Sequence, residues 1–426
     1  MYLEVICGIM YRVNKRAVSA DSLGSKNDIG ELFMTKKRKK SRRRKIPFLV
    51  QNPEYYDYNL LVSVILLMCF GLVMLYSTSA YSAQLDFGND MYYFSKQAVI
   101  SAVCIIAVIG ASQFDYHFYA KFAGLLYVVS NILLFLTKFI GTELNGAKRW
   151  IYFGPISFQP AEMAKVAVIL FLPVLITKMG SKVKTWQAFW TILLSGALTS
   201  FLTLAFTDNL STAIIIAGIT VGLLFIVFPK NMPFIIGSAG VAIVALGVVY
   251  YASMVVSSDN FRLRRIMVWL NPEANESVGG YQVMQGLYAI GSGGVFGKGL
   301  GNSLQKLDFV PEAQNDMIFS IICEELGIFG AVMMCLLFAF MLYRLVFIAQ
   351  NAPDLLGSLI AVGVFVHIAL QVVLNIAVVT NAIPTTGITL PFISYGGTSI
   401  MFLMAEMALA LSVSRSIRFH DEGEKQ

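Results

Sequence analysis

Leu60–Ser79 reads LLVSVILLMCFGLVMLYSTS, twenty residues without a charged side chain. A helix rises 1.5 Å per residue, so this stretch spans about 30 Å, the thickness of a bilayer's hydrocarbon core. Comparable apolar runs recur at roughly 97–113, 122–140, 162–179, 187–206, 210–229, 233–255, 317–346, 356–380 and 397–414. In lipid each backbone N–H and C=O must be satisfied within its own segment, and runs of this length manage it as helices. The whole chain agrees: of 426 residues 57% are hydrophobic and 13% charged, about half the charge share of a soluble domain. A soluble enzyme, a disordered chain and a secreted disulfide scaffold are excluded. The expected fold is an all-α polytopic membrane protein. It has about ten transmembrane helices and a large ordered extracellular loop between helices seven and eight.

Charge sets the orientation. The formal net charge is +7. Residues 1–59 hold 13 basic and 6 acidic side chains and the remainder 19 of each, so the imbalance lies wholly in the tail. Most of it is the run Lys36-Lys37-Arg38-Lys39-Lys40-Ser41-Arg42-Arg43-Arg44-Lys45. Next to a first span, such a run reads as a cytoplasmic segment held at an anionic leaflet, with no role in nucleic-acid binding. The expected layout is a disordered basic cytoplasmic tail over 1–59, a transmembrane domain over 60–414 that includes the loop 256–316, and a cytoplasmic tail over 415–426. An even number of spans returns the C-terminus inside. The five cysteines form no CxxC pair and the three histidines are scattered, so neither a disulfide framework nor a histidine metal site is expected.

Beyond the tail, positive charge gathers on the outward side. Lys148 and Arg149 follow span three; Arg262, Arg264, Arg265, Lys298 and Lys306 all fall in the loop 256–316. A loop this long without a task is unusual. Tyr281, Leu287, Tyr288, Ile290, Val295, Phe296, Leu300, Leu304, Phe309 and Val310 offer it material to pack. An ordered basic platform of this kind attracts an anion, and phosphate is the natural candidate. The stretch Gly291–Gly301 fits neither nucleotide-binding glycine pattern; its glycines are expected to permit tight turns and close backbone approach.

Ionisable groups inside the spans are costly and so informative. Glu162 and Lys165 stand at i,i+3 and share a helix face, either as a structural ion pair or as a substrate contact. Glu324, Glu325 and Glu406 lie within spans, where at least one must face the bundle interior. His367, Gln371 and Asn375 form one stripe at four-residue spacing, for interhelical hydrogen bonding or for lining a cavity. Asp316 stands where the basic loop meets span eight. A carboxylate there is either a helix cap or a general base beside bound phosphate.

These residues carry a resemblance. Asn145-Gly146-Ala147-Lys148-Arg149-Trp150-Ile151, then Gln159-Pro160-Ala161-Glu162 and Lys165, resemble a signature of the SEDS family (shape, elongation, division and sporulation proteins). Gly280-Tyr281-Gln282, Gln285, Gly301-Asn302-Ser303, Gln305-Lys306, Pro311-Glu312 through Asp316, Glu324-Glu325-Leu326-Gly327 and Pro391-Phe392-Ile393-Ser394-Tyr395-Gly396-Gly397 continue it in order, over roughly 55–415. Gly301–Lys306 resembles the FtsW/SpoVE branch rather than RodA. The resemblance implies a peptidoglycan glycosyltransferase in the bacterial cytoplasmic membrane, polymerising lipid II at the outer face, in division or sporulation. It implies a class B penicillin-binding protein (a transpeptidase) as partner, with other division or sporulation membrane proteins. The family's essential aspartate maps onto Asp316. Two departures stand out: Thr207-Asp208-Asn209-Leu210-Ser211-Thr212 replaces the common Gln-Pro-Asp-Leu-Gly-Thr, and Gln314-Asn315 replaces a frequent His-Thr. No catalytic role is carried to Asn209.

The mechanism expected is proton transfer to Asp316 from the acceptor's 4-hydroxyl, with the donor pyrophosphate held by some of the seven named cations. No cofactor is required, although a divalent cation, magnesium or manganese, could assist the leaving group. Two other classes stay open at this point: a lipid II flippase, for which His367, Gln371 and Asn375 would line a path, and a non-catalytic division scaffold.

Overall fold

The computed structural model describes residues 55–144, 147–153, 156–254 and 261–418. The basic run at 36–45 and Cys7 lie outside the described residues. Ten described helices are long and apolar enough to cross a membrane, which bears out the expected count. In chain order they are α1 (Tyr58–Phe87), α2 (Tyr92–Ala111), α4 (Ala123–Ile140), α5 (Pro160–Met179), α6 (Trp186–Thr207), α7 (Leu210–Val227), α8 (Met232–Met254), α11 (Ile318–Asn351), α12 (Leu355–Val379) and α13 (Gly397–Arg415). A short α3 (Tyr116–Lys121) precedes α4, and α9 (Phe261–Leu270) and α10 (Gly280–Gly293) lie between α8 and α11. Among the described residues the one departure from an all-α chain is a meander, β1 (Thr142–Leu144), β2 (Ala147–Phe153) and β3 (Ile156–Phe158), antiparallel in the order β1-β2-β3.

Side-chain caps satisfy several helix starts. Asp57 accepts from Leu60 N at 2.9 Å, Asn209 from Thr212 N at 3.1 Å and Asp354 from Gly357 N at 2.8 Å, each taking one of the four amides a helix start leaves unpaired. The most deeply enclosed spans are α13, α7, α5 and α12. By contrast α8 is exposed to the bilayer almost throughout and touches α9 beside it. Polar clasps close the end of the bundle opposite the meander. Arg344 Nη2 reaches Asp57 Oδ2 at 2.8 Å and the Tyr55 hydroxyl at 2.6 Å. His117 bridges Asp115 and Asp354, each at 2.7 Å, and the two carboxylates raise its pKa to about 10.

At the meander end α11 is broken. Gly327 has φ +67°, ψ −165°, a conformation that only glycine adopts cheaply. The chain 294–299 lies in the break. Lys298 N and Gly299 N donate to the Glu324 and Glu325 carbonyls, each at 2.9 Å, while Ile328 N and Phe329 N donate to the Gly294 and Val295 carbonyls, each at 3.0 Å. A Cβ on Gly297, itself at φ +77°, would collide with the Glu325 carbonyl, so the glycine-rich stretch does serve close backbone approach. Two ion pairs then fix the loop. Glu324 accepts from Lys298 Nζ at 2.7 Å and from the Ser303 hydroxyl. Glu325 accepts from Lys306 Nζ at 2.8 Å and from Ser77 of α1 at 2.7 Å.

Of the apolar side chains expected to pack the loop, Val310 is buried, Tyr281, Leu287 and Ile290 are half-buried, Ile290 against the core, and Tyr288, Val295, Phe296, Leu300, Leu304 and Phe309 are exposed. Polar clamping adds to that packing, because two glutamates buried at the head of α11 must find counter-charges. Removing one partner of such a pair costs about 3–5 kcal/mol. Lys306→Met is therefore expected to speed amide hydrogen exchange across 294–307 well before it affects α12 or α13, as measured by mass spectrometry in detergent.

Candidate active site

Asp316 lies in the last turn before α11. The N-cap position belongs to Met317, and no side chain caps that helix, so Asp316 is not the helix cap that its position allowed. Its main chain is pinned instead. Asn375 of α12, fully buried, donates its amide to the Asp316 carbonyl at 2.9 Å and to the Ile388 carbonyl at 2.6 Å. Tyr395 N donates to the Gln314 carbonyl at 2.9 Å. Two points of the 383–396 segment are thereby joined to the residues around Asp316. Gly387, at φ +71°, lies against the carboxylate itself: a Cβ there would stand 3.8 Å from Asp316 Oδ2.

Arg149 of β2 and Arg265 of α9 supply positive charge here. Arg149 Nη2 donates to the Asp208 carbonyl at 3.1 Å, and Asp208 holds a left-handed φ of +48° to present it. Burial lowers the pKa of Arg149. Burial also lowers that of Arg265, and repulsion from Arg149 adds to the fall while Asp316 opposes it. Two partly buried guanidiniums that repel one another form a place where an anion is stabilised. Desolvation pushes the Asp316 carboxyl up to about 6; the Glu312 charge adds to the rise, and a backbone hydrogen bond and Arg265 oppose it. A carboxylate with a pKa near 6 is suited to accept a proton at neutral pH. Trp269, also on α9, donates its indole N–H to the Asn381 carbonyl at 2.9 Å, which ties the helix of Arg265 to the end of α12.

The remaining expected site residues divide. Lys298 and Lys306 are paired with Glu324 and Glu325. Lys148 Nζ turns to the Lys138 carbonyl at 3.5 Å. Arg264 lies one residue from Arg265 on α9, and the Arg262 side chain lies outside the described residues. Glu162 and Lys165 form the structural ion pair, 2.9 Å apart and buried. Lys165 also donates to Gln371 Oε1 at 3.2 Å. The chain continues from Gln371 Oε1 to His367 Nε2 at 2.8 Å and from His367 Nδ1 to Glu406 of α13 at 2.7 Å. Gln371 Nε2 donates to the Thr389 carbonyl at 3.0 Å. The stripe thus bonds α5, α12 and α13 together, and all three span glutamates are buried.

A family model described as "FTSW_RODA_SPOVE: Cell cycle protein" matches residues 58–418. The chain belongs to this family. Stage V sporulation protein E of Bacillus subtilis (strain 168) is 35% identical over 365 residues, 85% of this chain and 98% of that one. The probable peptidoglycan glycosyltransferase FtsW of Geobacter sp. (strain M18) is 34% identical over 374 residues, 86% and 98% of the two chains. Among solved structures, a chain of a peptidoglycan synthase complex, described for its structural coordination of polymerization and crosslinking, superposes with TM-score 0.70. It is 26% identical, and the match covers 84% of this chain and 98% of that one. The rod shape determining protein RodA of Thermus thermophilus matches with TM-score 0.61 at 25% identity, over 87% and 100% of the chains.

The SEDS signatures acquire places in this frame. Lys148-Arg149-Trp150 is β2, Glu162 and Lys165 open α5, and Pro391–Gly397 forms the segment held to Gln314. Gly387 and Glu312 beside Asp316, Asp208 at Arg149 and Asn381 at Trp269 were given no role in the sequence. Asp208, Glu312, Asn381 and Phe392 all take positive φ without being glycine, and such conformations gather at functional sites. Among the described residues no group of three or more His, Cys, Asp or Glu is placed to hold a metal. Lys165→Met would leave Glu162 buried without its counter-charge. A stability loss of about 3–5 kcal/mol is expected, and the Glu162→Gln, Lys165→Met pair should recover much of it. Thermal unfolding of the purified protein in detergent measures both.

Proposed function

We propose that this chain is a peptidoglycan glycosyltransferase that polymerises lipid II into β-1,4 glycan at the outer face of the cytoplasmic membrane, with both termini inside. The observation that carries the reading is Asp316: a half-buried carboxylate of raised pKa, beside the Arg265 guanidinium that in turn neighbours Arg149, in a chain of the FtsW/SpoVE kind. Arg149 and Arg265 hold the donor's pyrophosphate, and Arg264 adds to the positive field of α9. Asp316 takes the proton from the 4-hydroxyl of the acceptor's N-acetylglucosamine. The hydroxyl oxygen forms a bond to the donor's anomeric carbon as the bond to the pyrophosphate oxygen breaks, and undecaprenyl pyrophosphate leaves with the electron pair. One displacement inverts an α-linked donor to a β linkage. The cations stabilise the charge that develops on the leaving oxygen, in a site partly closed to water. A magnesium or manganese ion at this step would be held chiefly by the pyrophosphate.

The hydrogen bonding of the His367, Gln371 and Asn375 stripe supports a polymerase over a flippase, since a transport path needs polar groups open to a substrate. A class B penicillin-binding protein is the partner that crosslinks the product, in a division or sporulation assembly.

Purified with that partner and given labelled lipid II, the wild type is expected to yield glycan ladders on a gel and Asp316→Asn none. The ionised carboxylate is the base, so activity should rise through pH 6 and level above it. The sign for stability is opposite. The folded-state pKa is raised from 3.8 to about 6, so the stability this group contributes is fully present below the lower value and lost as pH rises through the higher. Asp316→Asn should therefore unfold no earlier than wild type at pH 7. Asn375→Ala frees the main chain of Asp316. Displacement of a catalytic group by about 1 Å can cost 100-fold, so kcat should fall with little change in the KM for lipid II.

A further inference from the structure

α1 starts at the Arg344 clasp, so its far end and the start of α2 stand at the end of the bundle that holds Asp316. With 30 residues α1 measures about 45 Å, longer than a hydrocarbon core of about 30 Å. Gly88, at φ +66°, closes the helix, and its N–H donates to the Gln84 carbonyl at 3.0 Å. Two side chains hold the turn that follows. The Tyr76 hydroxyl donates to Asp90 Oδ2 at 3.1 Å, and Met91 N donates to Asn89 Oδ1 at 3.0 Å.

Aromatic rings form a row on this hairpin. Phe87 and Tyr92 stack face to face, with centroids 3.9 Å apart and planes 13° apart. Tyr93 meets them edge-on at 5.7 Å and 5.4 Å, and meets Tyr395 in the same way at 5.0 Å. Phe87 and Tyr92 are exposed; Tyr93 and Tyr395 are half-buried. The row reaches the candidate active site by two routes. Tyr395 N donates to the Gln314 carbonyl at 2.9 Å, two residues before Asp316. The charge of Glu312 acts on the Tyr93 hydroxyl and on the Asp316 carboxyl alike.

Exposed rings at a membrane boundary commonly form an interfacial belt. This row keeps different company, because Gln84, Asp86, Asn89 and Lys96 are exposed among the rings, and such side chains are costly in lipid. A pyranose suits the mixture. One face of the sugar presents C–H bonds, which rest on the electron-rich face of an aromatic ring. Its rim presents hydroxyls, which carboxylates and amides take.

We propose that the row Phe87, Tyr92, Tyr93 and Tyr395 is a saccharide subsite, which holds glycan already made while Asp316 serves the next coupling. The assignment rests on the polymerase reading. No bond forms or breaks at the row; its contribution is retention. A strand that keeps its hold between couplings is extended again before it leaves, so the row governs chain length and not the rate of a single coupling.

Two measurements test this. Phe87→Ala and Tyr92→Ala remove rings that already face outward, so folding should be spared. With the partner and labelled lipid II, each variant is expected to make the first coupling at the wild-type rate and to yield chains severalfold shorter on the gel, since one lost ring contact speeds release by that order. Tyr92→Trp, which keeps a ring, should retain long chains. Unchanged chain length in both alanine variants, or a first coupling slowed as much as the chains are shortened, overturns the proposal. The second measurement needs no catalysis. A β-1,4-linked tetramer of N-acetylglucosamine is titrated into the purified full chain in detergent and followed by saturation-transfer NMR. Saturable binding to wild type that weakens in both alanine variants is expected; no binding to wild type, or binding indifferent to the variants, overturns the subsite. Wild type that makes no glycan defeats the polymerase reading, and the tetramer titration then still decides the subsite.

Discussion

Two carboxylates buried at the head of α11 constrain everything around the site. Glu324 and Glu325 follow one another in a helix, so they point in different directions, and each must meet a cation away from water. Lys298 and Lys306 come to them from a loop, and that loop can approach only because α11 opens at Gly327 and lends four backbone hydrogen bonds to residues 294–299. The arrangement fixes the chain on both sides of residues 307–316. Asp316 is then held from a second direction by Asn375 and the Pro391–Gly397 segment.

Polar residues in the membrane therefore serve two ends. One set pairs internally: Glu162 with Lys165, His367 with Glu406, Glu324 and Glu325 with their lysines. The other, Asp316 with Arg265 and, beyond it, Arg149, lies partly open, and Arg265 feels the charge of both neighbours. Such a division is economical. A site that develops charge needs neighbours that do not reorganise as the charge forms, and helices cross-linked by buried ion pairs reorganise little.

Much of this was legible in the chain. Ten runs of apolar residues gave ten spans, because length and hydropathy record a bilayer directly. Asp316 and the outward cations could be picked out as candidates because charge beside a membrane is scarce. The partners of Lys298 and Lys306 were not legible: a cation's position in sequence records its charge but not its partner, and the partners lie 26 and 19 residues on. The meander was missed because strands of three residues carry too short an alternation to register. The ionic share of the loop's clamping was not legible: Val310 is buried and Ile290 packs against the core, yet Phe296 and Leu304 face outward.

The break at Gly327 also bears on how this chain can vary in length. Residues 294–299 are held in register against 324–329, as if two edges of a small sheet had been cut from helix and loop. An insertion or deletion within either edge would slide Lys298 off Glu324 and turn every paired amide to a wrong carbonyl. Around Leu307–Val310 the backbone bonds are local, Leu307 N to the Leu304 carbonyl at 3.1 Å and Val310 N to the Gln305 carbonyl at 2.9 Å, and the chain there closes an excursion whose two ends are already fixed. Changes in length should therefore accumulate at 307–310 and be purged at 294–299, although both stretches belong to the same loop.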